Sequence, residues 1–251
     1  IYALVARMMD IQFEHFGVEI ACFVITVYLV AKTLNIKEDK IGEAHKVHIG
    51  FQKVLAAHSF TWVGIQSMFI YMVSFIQHNQ PSLSDDMVGS VNNNSFLILS
   101  LIAAILPVTI LQPLAKKVGI VKTHAFCIGS MAVGYLMLSQ VGFNTTMIYV
   151  VMAILGIGWA ATISLPFAIM SQKVEQSRMG LYMGLFNLSV VLPQLAASGV
   201  GLILKKVENQ SIVFVIAGIC LAISAISWFT VKEEESEEIV EEGEAAVQVP
   251  N

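Results

Sequence analysis

The stretch Gly180–Gly199, GLYMGLFNLSVVLPQLAASG, decides the fold class. It carries no charge and has the roughly 20 residues that a bilayer core demands of a helix. Yet it is not uniformly apolar. Gly180, Gly184 and Gly199 are small, Pro193 interrupts the backbone, and Asn187 and Gln194 carry amides that lipid cannot satisfy. A spacing of seven places both amides on one helical face. Such a stripe looks towards neighbouring helices or a wet cavity. Two readings stand: the amides only join helices together, or they line the pathway of a transporter. The second is the functional expectation.

The whole chain fits that membrane setting. Hydrophobic residues make up 56% and charged residues 13%, where a soluble domain of this size carries about 25% charge. Mean hydropathy is +0.74. The net charge of −4 arises mostly from acids crowded after Lys232, so it does not describe the membrane part. Lys and Arg cluster between hydrophobic segments, as membrane topology requires, and not in a patch for nucleic acid. Cys22, Cys127 and Cys220 fall in three different apolar segments and read as small buried hydrophobes, with no metal spacing. The chain begins at Ile1 without a signal-peptide pattern, and is expected to be a fragment of a longer polypeptide.

Working outward, the sequence divides into an all-α membrane protein with seven transmembrane helices, at about 17–34, 54–77, 94–115, 120–139, 147–170, 180–204 and 211–231. Residues 1–34 hold an N-terminal segment and the first span. Residues 35–53 form a polar linker, read either as an amphipathic helix on the membrane surface or as a solvated connection. Residues 54–231 carry six further spans. Residues 232–251 form an acidic tail, expected to be disordered. The segment 78–92, with Pro81, Ser84, Asp85 and Asp86, reads as a loop, and Gln112–Gly119 as a short basic one.

Eleven Lys and Arg fall in one set of alternating connections and three in the other. The positive-inside rule therefore puts the C-terminus in the cytoplasm. Sequons at Asn93, Asn144 and Asn209 fall in outside connections on this reading, as weak support.

Two longer patterns add a resemblance. Gly156-Ile157-Gly158-Trp159-Ala160-Ala161-Thr162-Ile163-Ser164-Leu165-Pro166-Phe167-Ala168 resembles the "S-[IL]-P-[FY]-A" helix of sucrose- and maltose-type permeases. Gly180-Leu181-Tyr182-Met183-Gly184-Leu185-Phe186-Asn187, running on to Pro193-Gln194, is similar to their "G-x-x-M-G-x-x-N…x-P-Q" helix. This is the glycoside–pentoside–hexuronide branch of the major facilitator superfamily. Gln112–Gly119 looks like a worn form of that superfamily's recurring basic loop. The resemblance implies that 17–34 is the last helix of an N-terminal bundle and 54–231 a six-helix C-terminal bundle. It also implies that the missing N-terminal half holds the proton-coupling acids.

A sugar presents hydroxyl groups and an apolar ring face, which suits amides set among aromatic platforms. The candidate substrate-binding residues are Trp62, Gln66, Trp159, Thr162, Asn187 and Gln194. His58 is a possible proton or substrate contact, or a structural histidine near a helix end. Gly156, Gly158 and Gly184 read as allowing close helix approach. Pro166 and Pro193 read as hinges or static kinks.

The expected function is secondary active transport, a proton-coupled symport of a disaccharide or other glycoside by alternating access. The alternatives are a seven-helix receptor and a non-transporting sugar sensor. No carboxylate pair, zinc helix or nucleophile elbow is present to make an enzyme. No cofactor or metal is expected. The partners expected are the sugar, protons, the bilayer and the N-terminal half, and not nucleic acid. The plasma or inner membrane is the expected location.

Overall fold

The computed structural model describes residues 43–204 and 209–233, with isolated positions at 28, 31, 32 and 35. Most of the expected first span, residues 36–42 of the linker and the acidic tail beyond residue 233 lie outside the described residues. Among those described, every regular element is helical. Six long helices follow in order: α1 (Glu43–Asn79), α2 (Asp85–Val118), α3 (Ile120–Val141), α4 (Thr145–Ser171), α5 (Met179–Leu204) and α6 (Ile212–Trp228). Four helical stretches, His48–Asn79, α2, α3 and α4, are long and apolar enough to cross a membrane, and α6 is a shorter apolar helix.

Several boundaries differ from the sequence reading, each for a local reason. The end of the expected linker is continuous with α1, because Phe51, Lys53 and Val54 are buried against the bundle. The expected loop 78–92 shrinks to the few residues before α2. There Ser84 caps the helix by accepting from the Met87 amide, and Asp85 and Asp86 sit in the first turn, where the helix dipole favours acids. The expected basic loop Gln112–Gly119 is also mostly helix: after a π turn at Pro107–Leu111, residues Gln112–Val118 continue the rod. Gly119 alone turns the chain into α3, at φ +98°, a conformation that a side chain would strain.

The sequons fare likewise. Asn93 lies inside α2 with Ser95 buried, so that one is not in a loop. Asn144 caps α4 through Met147, and the Asn209 side chain accepts from the Ser211 amide.

Alternating connections share an end of the bundle. Gln80 donates to the Gly142 carbonyl and accepts from Thr145, which puts the α1–α2 and α3–α4 connections together. At the other end Lys53 donates to the Thr230 carbonyl, Lys173 packs on Gly50, and Glu233 accepts from the amides of Ile120 and Val121. Lys116, Lys117, Lys122, Lys173, Arg178 and Lys232 belong to the connections at this second end. The charge asymmetry read along the sequence is thus a physical asymmetry of the two ends.

In cross-section α3 packs on both α4 and α6, α1 packs on α6 and α5, and α2 packs on α4. The core divides in two. One cluster centres on Met68, Met72, Phe75, Tyr135, Met152 and Phe214, and the other on Phe51, Leu111, Ile169, Met170 and Trp228. Large apolar side chains such as Leu101, Ile105, Phe126 and Ile226 face outward. In water such a surface would aggregate; against lipid tails it costs nothing. The chain is an integral membrane protein.

Candidate functional site

The stripe at 58, 62 and 66 on α1 becomes a chain of rings where the two core clusters meet. A spacing of four keeps these side chains on one helix face. The Trp62 Nε1–H donates to Nε2 of His58 at 2.8 Å. The Trp62 ring meets Trp159 of α4 edge-on at 6.1 Å, and Trp159 meets Phe69 at 5.5 Å. Phe69 stacks on Phe96 of α2 at 5.1 Å. In the other direction His58 stacks on Phe186 of α5 at 4.8 Å and lies edge-on to Trp228 of α6, which in turn meets His124 of α3. Edge-to-face and offset contacts suit the ring quadrupoles.

The two ends of this chain differ. His58, Phe186, Trp228 and His124 are buried. Trp62, Gln66 and Trp159 are half-buried, and Phe69 is 43% exposed. An aromatic corner therefore opens outward from a sealed imidazole floor.

The remaining sequence candidates are placed differently. The Thr162 hydroxyl is buried and donates to the Gly158 carbonyl, so its hydrogen-bonding proton is used within α4. Asn187 follows Phe186 directly, about 100° further round α5, and is exposed where Phe186 is buried. Gln194 is half-buried on the same helix. The structure thus brings Trp62, Gln66 and Trp159 together with His58, and sets Asn187 apart from that group. Tyr71 donates its hydroxyl to the Ala197 carbonyl, which ties α1 to α5. Along this pair Phe51 meets Tyr182, His58 meets Phe186 and Tyr71 meets Ala197, so the two helices run parallel.

Phe69 and Phe96 were not singled out in the sequence, although Phe69 continues the α1 stripe one turn beyond Gln66. His124 and Trp228 had no local signal: only the packing of α3 on α6 makes them neighbours. Among the described residues no group of His, Cys, Asp and Glu could hold a metal.

The sequence profile of the Major Facilitator Superfamily matches residues 17–198, well over half of the chain. The chain belongs to the major facilitator superfamily. A comparison with curated proteins gave no significant match. Members of the superfamily are membrane transporters, so the match points to secondary transport and does not favour the receptor reading. The aromatic corner of this major facilitator protein lies among α1, α2 and α4.

Proposed function

We propose that this major facilitator protein is a proton-coupled sugar permease, and that α1–α6 form the C-terminal of its two bundles. The transport cycle rocks the bundles around a midplane site. The observation that carries the reading is the Trp62–Trp159 corner with Gln66 one turn away. It offers ring faces for a pyranose and an amide for its hydroxyl groups. The resemblance of 156–168 and 180–194 to sucrose- and maltose-type permeases supports the substrate class. Asn187 and Gln194 offer amides on α5, as a second contact surface apart from that corner, and Thr162 lies on α4 three residues beyond Trp159. The lysine-bearing end of the bundle faces the cytoplasm, where the positive-inside rule puts it, and the C-terminus with it.

The test is uptake of labelled sucrose and maltose by cells that lack their own carriers and express the intact gene. Accumulation that collapses with a protonophore is the expected result. Binding without flux would replace the permease by a sensor. Neither binding nor flux for any glycoside would remove the substrate class.

A further inference from the structure

The turn from α2 to α3 brings three lysines together. Lys116 and Lys117 lie in the last turn of α2, and Lys122 lies in the first turn of α3. All three are exposed, and among the described residues no carboxylate pairs with any of them. Lys116 and Lys117 suit the carbonyl end of α2. Lys122 does not suit its place, because a helix N-terminus carries partial positive charge and favours acids over cations. The positive-inside rule accounts for the lysines as a group, but not for a cation at that position. The turn is short of negative charge.

The chain brings negative charge to this spot. Beyond α6, Glu233 lays its carboxylate on Gly119 and accepts from the amides of Ile120 and Val121. A Cβ at position 119 would lie 2.6 Å from that carboxylate, so the glycine leaves room for it. Lys117 and Lys122 stand two and one residues from the groups that hold Glu233. At ~3.8 Å per residue they are no more than about 8 Å away along the backbone.

Residues 234–251 set out from this anchored point. They hold seven further glutamates, at 234, 235, 237, 238, 241, 242 and 244, and no lysine or arginine. Between the acidic runs lies the apolar pair Ile239-Val240, a counterpart to Val118, which is 40% exposed among the lysines. A short tether keeps such a segment at an effective concentration in the millimolar range, so individually weak ion pairs suffice. Lys53 and Lys173, at the same end of the bundle, are buried and do not compete for it.

We propose that the α2–α3 turn is the docking surface for the chain's own acidic tail, residues 234–251, with its glutamates against Lys116, Lys117 and Lys122. Docked there, the tail extends the Glu233 cap into a strip of negative charge along the start of α3. It also covers cations that would otherwise draw acidic lipid headgroups at the membrane surface. The docking holds whatever substrate the bundle carries.

The experiment uses the intact gene product in nanodiscs of phosphatidylcholine, a lipid without net charge. A glutamate-specific protease cuts the tail, and a synthetic 234–251 peptide cut in parallel corrects for the effect of salt on the protease. At low salt the tail is cut roughly three- to a hundredfold more slowly than the peptide, the span that three exposed ion pairs allow. Protection disappears near 1 M salt, where the screening length falls to about 3 Å. It disappears in the triple variant Lys116→Gln, Lys117→Gln, Lys122→Gln, and persists when the same three lysines become arginine. A tail cut at the peptide's rate at low salt, or protected equally in the glutamine variant, overturns the proposal.

A second measurement leaves the lysines in place. In a chain that ends at Glu233, and so keeps the α3 cap, Lys116, Lys117 and Lys122 react faster with an acetylating reagent than they do in the full chain. Equal rates in the two chains overturn the docking. If phosphatidylglycerol shields those lysines equally in both chains while the tail is cut at the peptide's rate, the surface belongs to acidic lipid and the tail reading falls.

Discussion

Thr61 and Ser224 face each other across the α1–α6 interface with their hydroxyl oxygens 2.6 Å apart, and Ser224 also donates to the Ala57 carbonyl at 2.8 Å. Both residues are fully buried. In a low-dielectric interior these bonds join the two helices where side chains would otherwise leave polar atoms unsatisfied. Ser224→Ala should lower stability in detergent by about 0.5–2 kcal/mol, the range for interhelical hydrogen bonds in membranes. Thermal unfolding of purified protein checks it, and an unchanged transition would show that the Thr61 hydroxyl re-pairs at no cost.

The glycines on α4 and α5 should separate sharply. A methyl group on Gly158 would lie 2.4 Å from the Met131 Cβ, and one on Gly156 would lie 2.7 Å from the Ile102 Cβ. Neither neighbour can swing aside, since each atom is fixed to its own backbone. Gly158→Ala should therefore cost about 1–3 kcal/mol, as overpacking does. Gly184 has nothing within 4 Å of that position. Gly184→Ala should leave stability unchanged or raise it by up to about 1 kcal/mol through helix propensity. Paired melting curves decide the matter; equal losses in both variants would contradict the packing.

Glu233 gives α3 the N-terminal acceptor that its own sequence lacks. Its carboxylate accepts from Ile120 and, at 3.2 Å, from Val121. Glu233→Ala should cost about 1 kcal/mol, as for a lost cap, and Glu233→Gln less, since the amide oxygen still accepts. The difference between Glu233→Gln and wild type should shrink at high salt, because the charge–dipole part is screened. Unfolding measured at low and high salt tests both statements.

Uptake should distinguish the aromatic corner from the far flank of α5. Gln66→Ala removes one neutral hydrogen bond to a substrate, worth about 0.5–1.5 kcal/mol, and Trp62→Phe shrinks the ring face on which the sugar packs. The apparent KM for sugar should rise about two- to tenfold accordingly. Asn187→Ala tests the contribution of α5 in the same way. Normal uptake in that variant, with impaired Trp62→Phe, would confine the site to α1 and α4.

Much of this architecture was legible because membrane helices announce themselves by length and apolarity. The ends of helices α1 to α6 fall within a few residues of those read from the sequence at most positions. Errors clustered where polar residues serve helix ends. Ser84, Asp85 and Asp86 have loop composition, yet they start α2 by capping it and complementing its dipole. Gln112–Val118 reads as a basic loop, but a π turn carries the helix through it and a single glycine makes the turn.

The site was legible only along α1, where one helical period connects His58, Trp62 and Gln66. The contacts of Trp62 with Trp159, and of Trp228 with both His58 and His124, depend on helix packing that no local pattern encodes. Asn187 shows the converse limit: periodicity gave it a face with Gln194, but not which way that face turns. The direction is set by Phe186, which stacks on His58.

The uninterrupted run of α1 has a mechanical consequence. Its 37 residues make a rod of about 55 Å at ~1.5 Å per residue, against a hydrocarbon core of about 30 Å. No proline or glycine pair within it offers a joint where bending could be absorbed. A rotation of about five degrees at one tip would then sweep the other by roughly 5 Å over that length. A change in packing at either end of α1 is thereby carried along the whole rod to the other.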